Sequence, residues 1–119
     1  MHADALQMLA DFFDQLTIEK RASEHTVKSY QRDIKHLTNY CLEKSIHHWA
    51  NLKQSDIRAH IASRHRQGIS STSLQRELSA IRSFYNFLLK KRLADCNPAQ
   101  HITAPKQARK LPKTLDVDQ

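Results

Sequence analysis

The chain has 119 residues, 39% of them hydrophobic, which suits one small domain with a modest core. One glycine and three prolines leave too few residues for the tight turns of hairpins, so an all-β fold is excluded and a mostly helical one expected. Nineteen Lys and Arg against twelve Asp and Glu give a formal net charge of +7, which favours an acidic partner such as nucleic acid or an anionic membrane surface.

The acids concentrate at the start. Residues 1–19 hold Asp4, Asp11, Asp14 and Glu19 and no Lys or Arg. In the same stretch Leu6, Leu9, Phe13 and Leu16 recur at helical spacing, which predicts a first helix from about Asp4 to Ile18 with an acidic outer side. KRASEHT breaks the pattern, and Ser23 is a good N-cap for a second helix running to about Glu43 on the apolar stripe Val27, Tyr30, Ile34, Leu37 and Cys41. The connection KSIHHWANLKQ supplies Trp49 and Leu52 as core plugs. Ser55 is expected to cap a short third helix containing Ile57 and Ile61, with Gly68 as the left-handed residue that ends it. Thr72 and Gln75 have capping-box spacing for a fourth helix to about Leu93, which Asn97-Pro98 stops. The expected fold is therefore all-α, a bundle of four to five helices over residues 1–98.

From Ala99 onward the chain, AQHITAPKQARKLPKTLDVDQ, is too short and polar for a core of its own and reads as an extended basic linker over residues 99–119. Pro105 and Pro112 bracket Lys106, Arg109 and Lys110. The closing Asp-Val-Asp-Gln resembles a cap with no helix after it, as if a second domain began there.

Two helices carry polar faces almost without carboxylates; only Glu43, at the end of the second, interrupts them. On the fourth, Leu74, Leu78, Ile81, Tyr85, Leu88 and Leu89 share one side, widened by Phe84. Gln75, Arg76, Ser79, Arg82, Ser83, Asn86 and Lys90 fall opposite within an arc of about 120°. Glu77 points toward the flank of the apolar side. On the second helix His25, Lys28, Ser29, Arg32, Lys35, His36 and Asn39 oppose the stripe, with Glu24 and Asp33 to either side. A helix shaped only for solubility mixes signs and uses Glu–Lys pairs one turn apart. These faces instead set Ser and Asn between cations, at some cost in helix propensity. Small hydroxyls and amides between arginines suit a phosphate-lined groove, although two solvated basic faces would read alike. His25-Thr26 and the SSTS run stand at helix starts, where free N–H groups and the dipole favour a phosphate. Plain N-capping explains Ser23 and Thr72 equally well, and Ser73 can serve both ends.

The remaining constellations point away from chemistry. Cys41 and Cys96 form no metal or redox motif and read as free thiols of a cytoplasmic protein. His47-His48 lacks the second pair that zinc spacing requires. No Gly-rich phosphate loop or paired-carboxylate cluster is present, and no apolar run approaches the roughly 18 residues of a membrane span. Tyr30, Tyr40 and Tyr85 lie in periodic helices and read as core residues with wet hydroxyls. No catalytic residue, metal, cofactor or small-molecule ligand is expected.

The run R-x-S-x-H-T-x-x-x-Y-x-x-D, here Arg21, Ser23, His25, Thr26, Tyr30 and Asp33, resembles the opening of the N-terminal core-binding domain of tyrosine recombinases. SLQRELSAIRSFYNFLLKKRLADCNPA and APKQARKLPKTLDVDQ are similar to the end of that domain and the interdomain linker of the bacterial Xer type. Trp49, Asp56 and LPK-x-x-DVD look more like the XerC than the XerD branch. The resemblance covers nearly the whole chain. It implies a SAM-like bundle forming half of a C-shaped clamp on double-stranded DNA, with the second and fourth helices at the major groove of a dif-like half-site. The full-length family works with a XerD-like partner in chromosome dimer resolution, and its tyrosine nucleophile lies in a C-terminal catalytic domain. The residues expected at DNA are His25, Thr26, Lys28, Arg32, Lys35, Thr72, Ser73, Arg76, Ser79, Arg82 and Ser83. Lys106, Arg109 and Lys110 would follow the backbone. The acidic first helix either closes the bundle or faces a neighbouring subunit. A helix-turn-helix regulator would need closer helices than these, and a protein-interaction module would dock its basic faces on an acidic partner.

Overall fold

The computed structural model describes residues 1–19 and 21–106. Its elements are α1 (Ala3–Ile18), α2 (Glu24–Glu43), a 3-10 turn (Trp49–Asn51), α3 (Gln54–Arg66) and α4 (Ser71–Lys90). Among the described residues there is no strand. The last helix is the hub: α1, α2 and α3 all pack on it. Its inner side buries Leu74, Leu78, Ile81, Phe84, Tyr85 and Leu88, as the spacing predicts, and it also buries Glu77, Ala80 and Phe87.

Helix starts follow the local chemistry with two shifts. Ser23 Oγ accepts from the Thr26 amide at 3.1 Å, the expected cap of α2. In α4 the cap is Ser70, not Thr72: its Oγ accepts from the Ser73 amide at 3.2 Å, because Ser70 is the residue left extended. Nor does Ser55 cap α3. The Asp56 carboxylate accepts from the Lys53 amide at 2.9 Å, so the helix begins at Gln54.

A chain with one glycine must still turn its corners. Gly68, at φ 93°, ends α3 as expected, with its own amide on the His65 carbonyl and the Ile69 amide on the Arg64 carbonyl. Ser45 at φ 58° and Arg92 at φ 59° perform the same turn without glycine. The Ile46 amide reaches the Cys41 carbonyl at 2.9 Å and the Leu93 amide the Leu88 carbonyl at 2.8 Å. The left-handed geometry at Arg92 is what stops α4 at Lys90, short of the expected Leu93.

Trp49 is the plug that joins α1 to α4. Its indole N–H donates to the Ala5 carbonyl at 2.7 Å, and its ring meets Phe84 edge-on with centroids 4.9 Å apart. The Tyr85 hydroxyl donates to the Trp49 carbonyl, so it is dry and satisfied, contrary to the wet hydroxyl expected. Close approach of the indole to α1 needs a small residue there, and this rotates the helix. Ala5, Phe12 and Leu16 are buried, Leu9 and Phe13 are half-buried, and Leu6 is exposed. Phe12 contacts Phe84 and Phe87 at 5.3 and 5.6 Å between centroids. The packed chain also runs past residue 98: Ala99 and Ile102 are core residues, so the stretch expected to open an extended linker is anchored instead.

Glu77, expected at the flank of the apolar side, is fully buried. Arg64 of α3 donates to it through Nε at 3.2 Å and Nη2 at 2.6 Å. His60 lies beside the pair, its Nε2 3.9 Å from Glu77 and without a hydrogen-bond partner among the described residues. Burial, with the positive neighbours Arg64 and His36, pulls the His60 imidazole down to about 4. Below the ordinary histidine value the unfolded chain takes up a proton that the folded chain refuses. Stability from this group is therefore complete above about pH 6.5 and is lost as pH falls toward 4, by about 3 kcal/mol in all. Urea unfolding measured across that window should show the decline, and His60→Leu should flatten it.

Candidate nucleic-acid interface

Helices α2 and α4 pack side by side and run antiparallel. Tyr30, early in α2, shares a cleft with Ser83 and Phe87, late in α4, whereas Asp33, further along α2, reaches back to Arg76. Both helices turn their apolar sides to the core, so both carboxylate-poor faces lie on the outer side of the pair. On α2, His25, Thr26, Lys28, Arg32 and Lys35 are exposed. On α4, Thr72, Arg76 and Ser79 are exposed, and Ser73, Arg82 and Ser83 are half-buried. The fold thus brings the two predicted sets onto one side of the molecule.

Two of the cations have different surroundings from the rest. Arg76 donates through Nε and Nη2 to the two oxygens of Asp33, each at 3.0 Å. Asp33 is not a flanking surface acid as its place on the wheel suggested; it is fully buried in the α2–α4 seam. Arg82 is turned away from the free surface. Its Nε donates to the Ala99 carbonyl at 3.0 Å and its Nη2 to the Ile102 carbonyl, which latches the C-terminal segment along α4. Asn97 secures the same segment, donating to the Arg82 carbonyl at 3.2 Å and the Asn86 side chain at 3.1 Å. At its far end the Ser71 hydroxyl donates to the Pro105 carbonyl. Lys106, the next residue, is therefore delivered, exposed, to the start of α4. Arg109 and Lys110 lie outside the described residues.

Lys28, Lys35 and Arg32 make no ion pair among the described residues; Arg32 only approaches the Ser29 hydroxyl at 3.5 Å. Their charge is free to act on a ligand. No group of three His, Cys, Asp or Glu side chains that could hold a metal occurs among the described residues. Cys41 is buried, and burial pushes its thiol up to about 12, which leaves it protonated and inert; Cys96 is exposed. No described helix is long and apolar enough to cross a membrane.

The partners of Arg76, Arg82 and Glu77 escaped the sequence reading. The wheel holds one weak signal, an acid at the margin of the α2 stripe, but it cannot name a partner 43 positions away.

The family described as phage integrase, N-terminal SAM-like domain, matches residues 9–92. The chain is 40% identical over 113 residues to tyrosine recombinase XerC of Xylella fastidiosa (strain 9a5c), covering 95% of this chain and 38% of that protein. It is 42% identical over 116 residues to tyrosine recombinase XerC of Alcanivorax borkumensis, covering 98% of this chain and 37% of the relative. The chain thus spans well under half the length of the relatives it matches. No solved structure matches it.

The latch role of Arg82 has a direct readout. Arg82→Ala should raise amide hydrogen exchange across residues 99–105 and cost about 2 kcal/mol of stability, the worth of charged-donor hydrogen bonds lost at half-buried carbonyls.

Proposed function

The chain belongs to the family of phage integrase N-terminal SAM-like domains, and from that premise we propose that it binds double-stranded DNA as the core-binding part of a XerC-type tyrosine recombinase. The observation that carries the reading is the pairing of α2 and α4. Two long helices expose Lys28, Arg32, Lys35, Thr72, Ser79 and Arg76 on one side of the bundle, and Asp33, in the seam between them, is buried and paired. Basic side chains interleaved with hydroxyls are the chemistry of a phosphate-lined groove.

In this reading α2 and α4 face the major groove of a dif-like half-site, and His25, Thr26 and Ser73 add donors near the helix starts. Lys106, Arg109 and Lys110 follow the backbone toward the part of the recombinase that carries the tyrosine nucleophile. This chain contributes grip and register, not bond breaking. Its partner in the cytoplasm would be a XerD-like recombinase, and the process served would be chromosome dimer resolution. The α2–α4 arrangement favours DNA over an acidic protein partner because its free cations follow one helix at i, i+4 and i+7, a spacing that tracks a regular row of charges.

If Lys28, Arg32, Lys35, Lys106, Arg109 and Lys110 each neutralise a phosphate, log K for duplex DNA should fall against log salt with a slope of roughly −5. Fluorescence anisotropy over a salt series measures it. Lys28→Glu should weaken binding strongly while Asp11→Asn leaves it unchanged; no binding at low salt would remove the DNA reading altogether.

A further inference from the structure

Two arginine–carboxylate pairs tie other helices to α4, and they differ in one respect. In the Arg64–Glu77 pair the arginine side chain is 15% exposed, and in the Arg76–Asp33 pair it is 44% exposed, although both carboxylates are shut off from water. A pair that serves packing alone gains from enclosing both partners, as Arg64–Glu77 does. Arg76 is clamped from behind and left open in front.

The bonding pattern says which part is open. Asp33 takes Nε and Nη2, the side edge of the guanidinium. Both protons of Nη1 and the second proton of Nη2 remain, and the end edge they form is a complete two-pronged donor. The neighbours one turn to either side, Thr72 and Ser79, are short, and among the described residues no acceptor bonds that edge, which lies on a side chain 44% exposed. The clamp also holds the plane of the guanidinium fixed, since two bonds of 3.0 Å to a buried group leave little freedom.

Charge argues in the same direction. The Asp33 carboxylate cancels the field of Arg76, so this arginine adds little to the attraction of phosphates at a distance. What it offers is orientation. A rigid two-pronged donor of low net charge fits the paired acceptors O6 and N7 of guanine better than it fits a phosphate, for which the unpaired Lys28, Arg32 and Lys35 are suited.

We infer that Arg76 is a base-reading, specificity-determining residue that selects guanine through its end edge, and that the buried Asp33 is the residue that positions it. The inference rests on the DNA-binding reading above. Asp33 touches no DNA in this scheme; it acts only through Arg76.

The test is selection of binding sites from a pool of randomised duplexes with the full chain, followed by salt titration of the selected duplex. The wild type should demand guanine at one position by about tenfold or more. Arg76→Lys and Asp33→Asn should each lose that preference and keep the others. Arg76→Ala should leave the salt slope unchanged, whereas Arg32→Ala should reduce it by about one. Asp33→Asn should in addition bind unselected DNA more tightly, because a negative charge has been removed behind the face. Circular dichroism melts monitor folding, and if Asp33→Asn fails to fold, Arg76→Lys, which keeps the charge and can keep one bond to Asp33, decides the matter. A slope reduced by about one in Arg76→Ala with base preferences intact would make Arg76 a phosphate contact and overturn the inference. Unchanged slope and unchanged preferences would reduce the pair to a staple, and wild-type binding with no base preference would overturn it equally. Failure of the wild type to bind any duplex at low salt would instead strike the DNA reading itself.

Discussion

A carboxylate removed from water needs a partner, and Asp33 on α2 finds its partner in Arg76 on α4, through both oxygens at 3.0 Å. That contact fixes the rotation of each helix about its own axis. If α2 turned by one residue, about 100°, Asp33 would leave the seam and the row from His25 to Lys35 would swing away from α4. The face that carries the free cations thus depends on the Asp33–Arg76 pair, whose carboxylate is buried, more than on any other exposed residue. Glu77 does the corresponding work on the other flank of α4, where Arg64 ties in α3.

Charge is separated across the bundle by this arrangement. Helix α1 packs on the inner side through Phe12, against Phe84, and keeps Asp4, Asp11 and Asp14 exposed there. The free cations stand on the outer side of α2 and α4. Such a molecule approaches a polyanion with one side leading, which speeds encounter as well as orienting it. The C-terminal segment adds to the same polarity, because Arg82, Asn97 and Ser71 hold it along α4 and bring Lys106 to the start of that helix.

Much of the bundle was legible in the residues. Ser23 with Thr26, and Gly68, marked helix ends because capping and left-handed turns are local events governed by a few neighbours. The apolar stripes of α2 and α4 fell where periodicity put them, since burial selects for a side of a helix. Where a long-range contact competes, the reading shifted. Trp49 draws Ala5 inward and turns the stripe of α1 from Leu6 to Phe12; Ser70 displaces Thr72 as a cap once the preceding chain is extended; Ser45 and Arg92 turn corners that glycine would normally take.

By itself the sequence determined that the chain is helical, that its acids gather in the first helix and that two helices carry basic faces poor in acids, because periodicity, composition and local capping are properties of neighbours along the chain. Only the tertiary structure decided which of those cations are free. Arg76 and Arg82 look alike on a wheel, yet one is clamped by a carboxylate 43 residues away and the other latches two carbonyls beyond the end of its helix. The physical reason is that a guanidinium bonds whatever acceptor packing brings within about 3 Å, and packing is the one quantity that spacing along a chain does not contain.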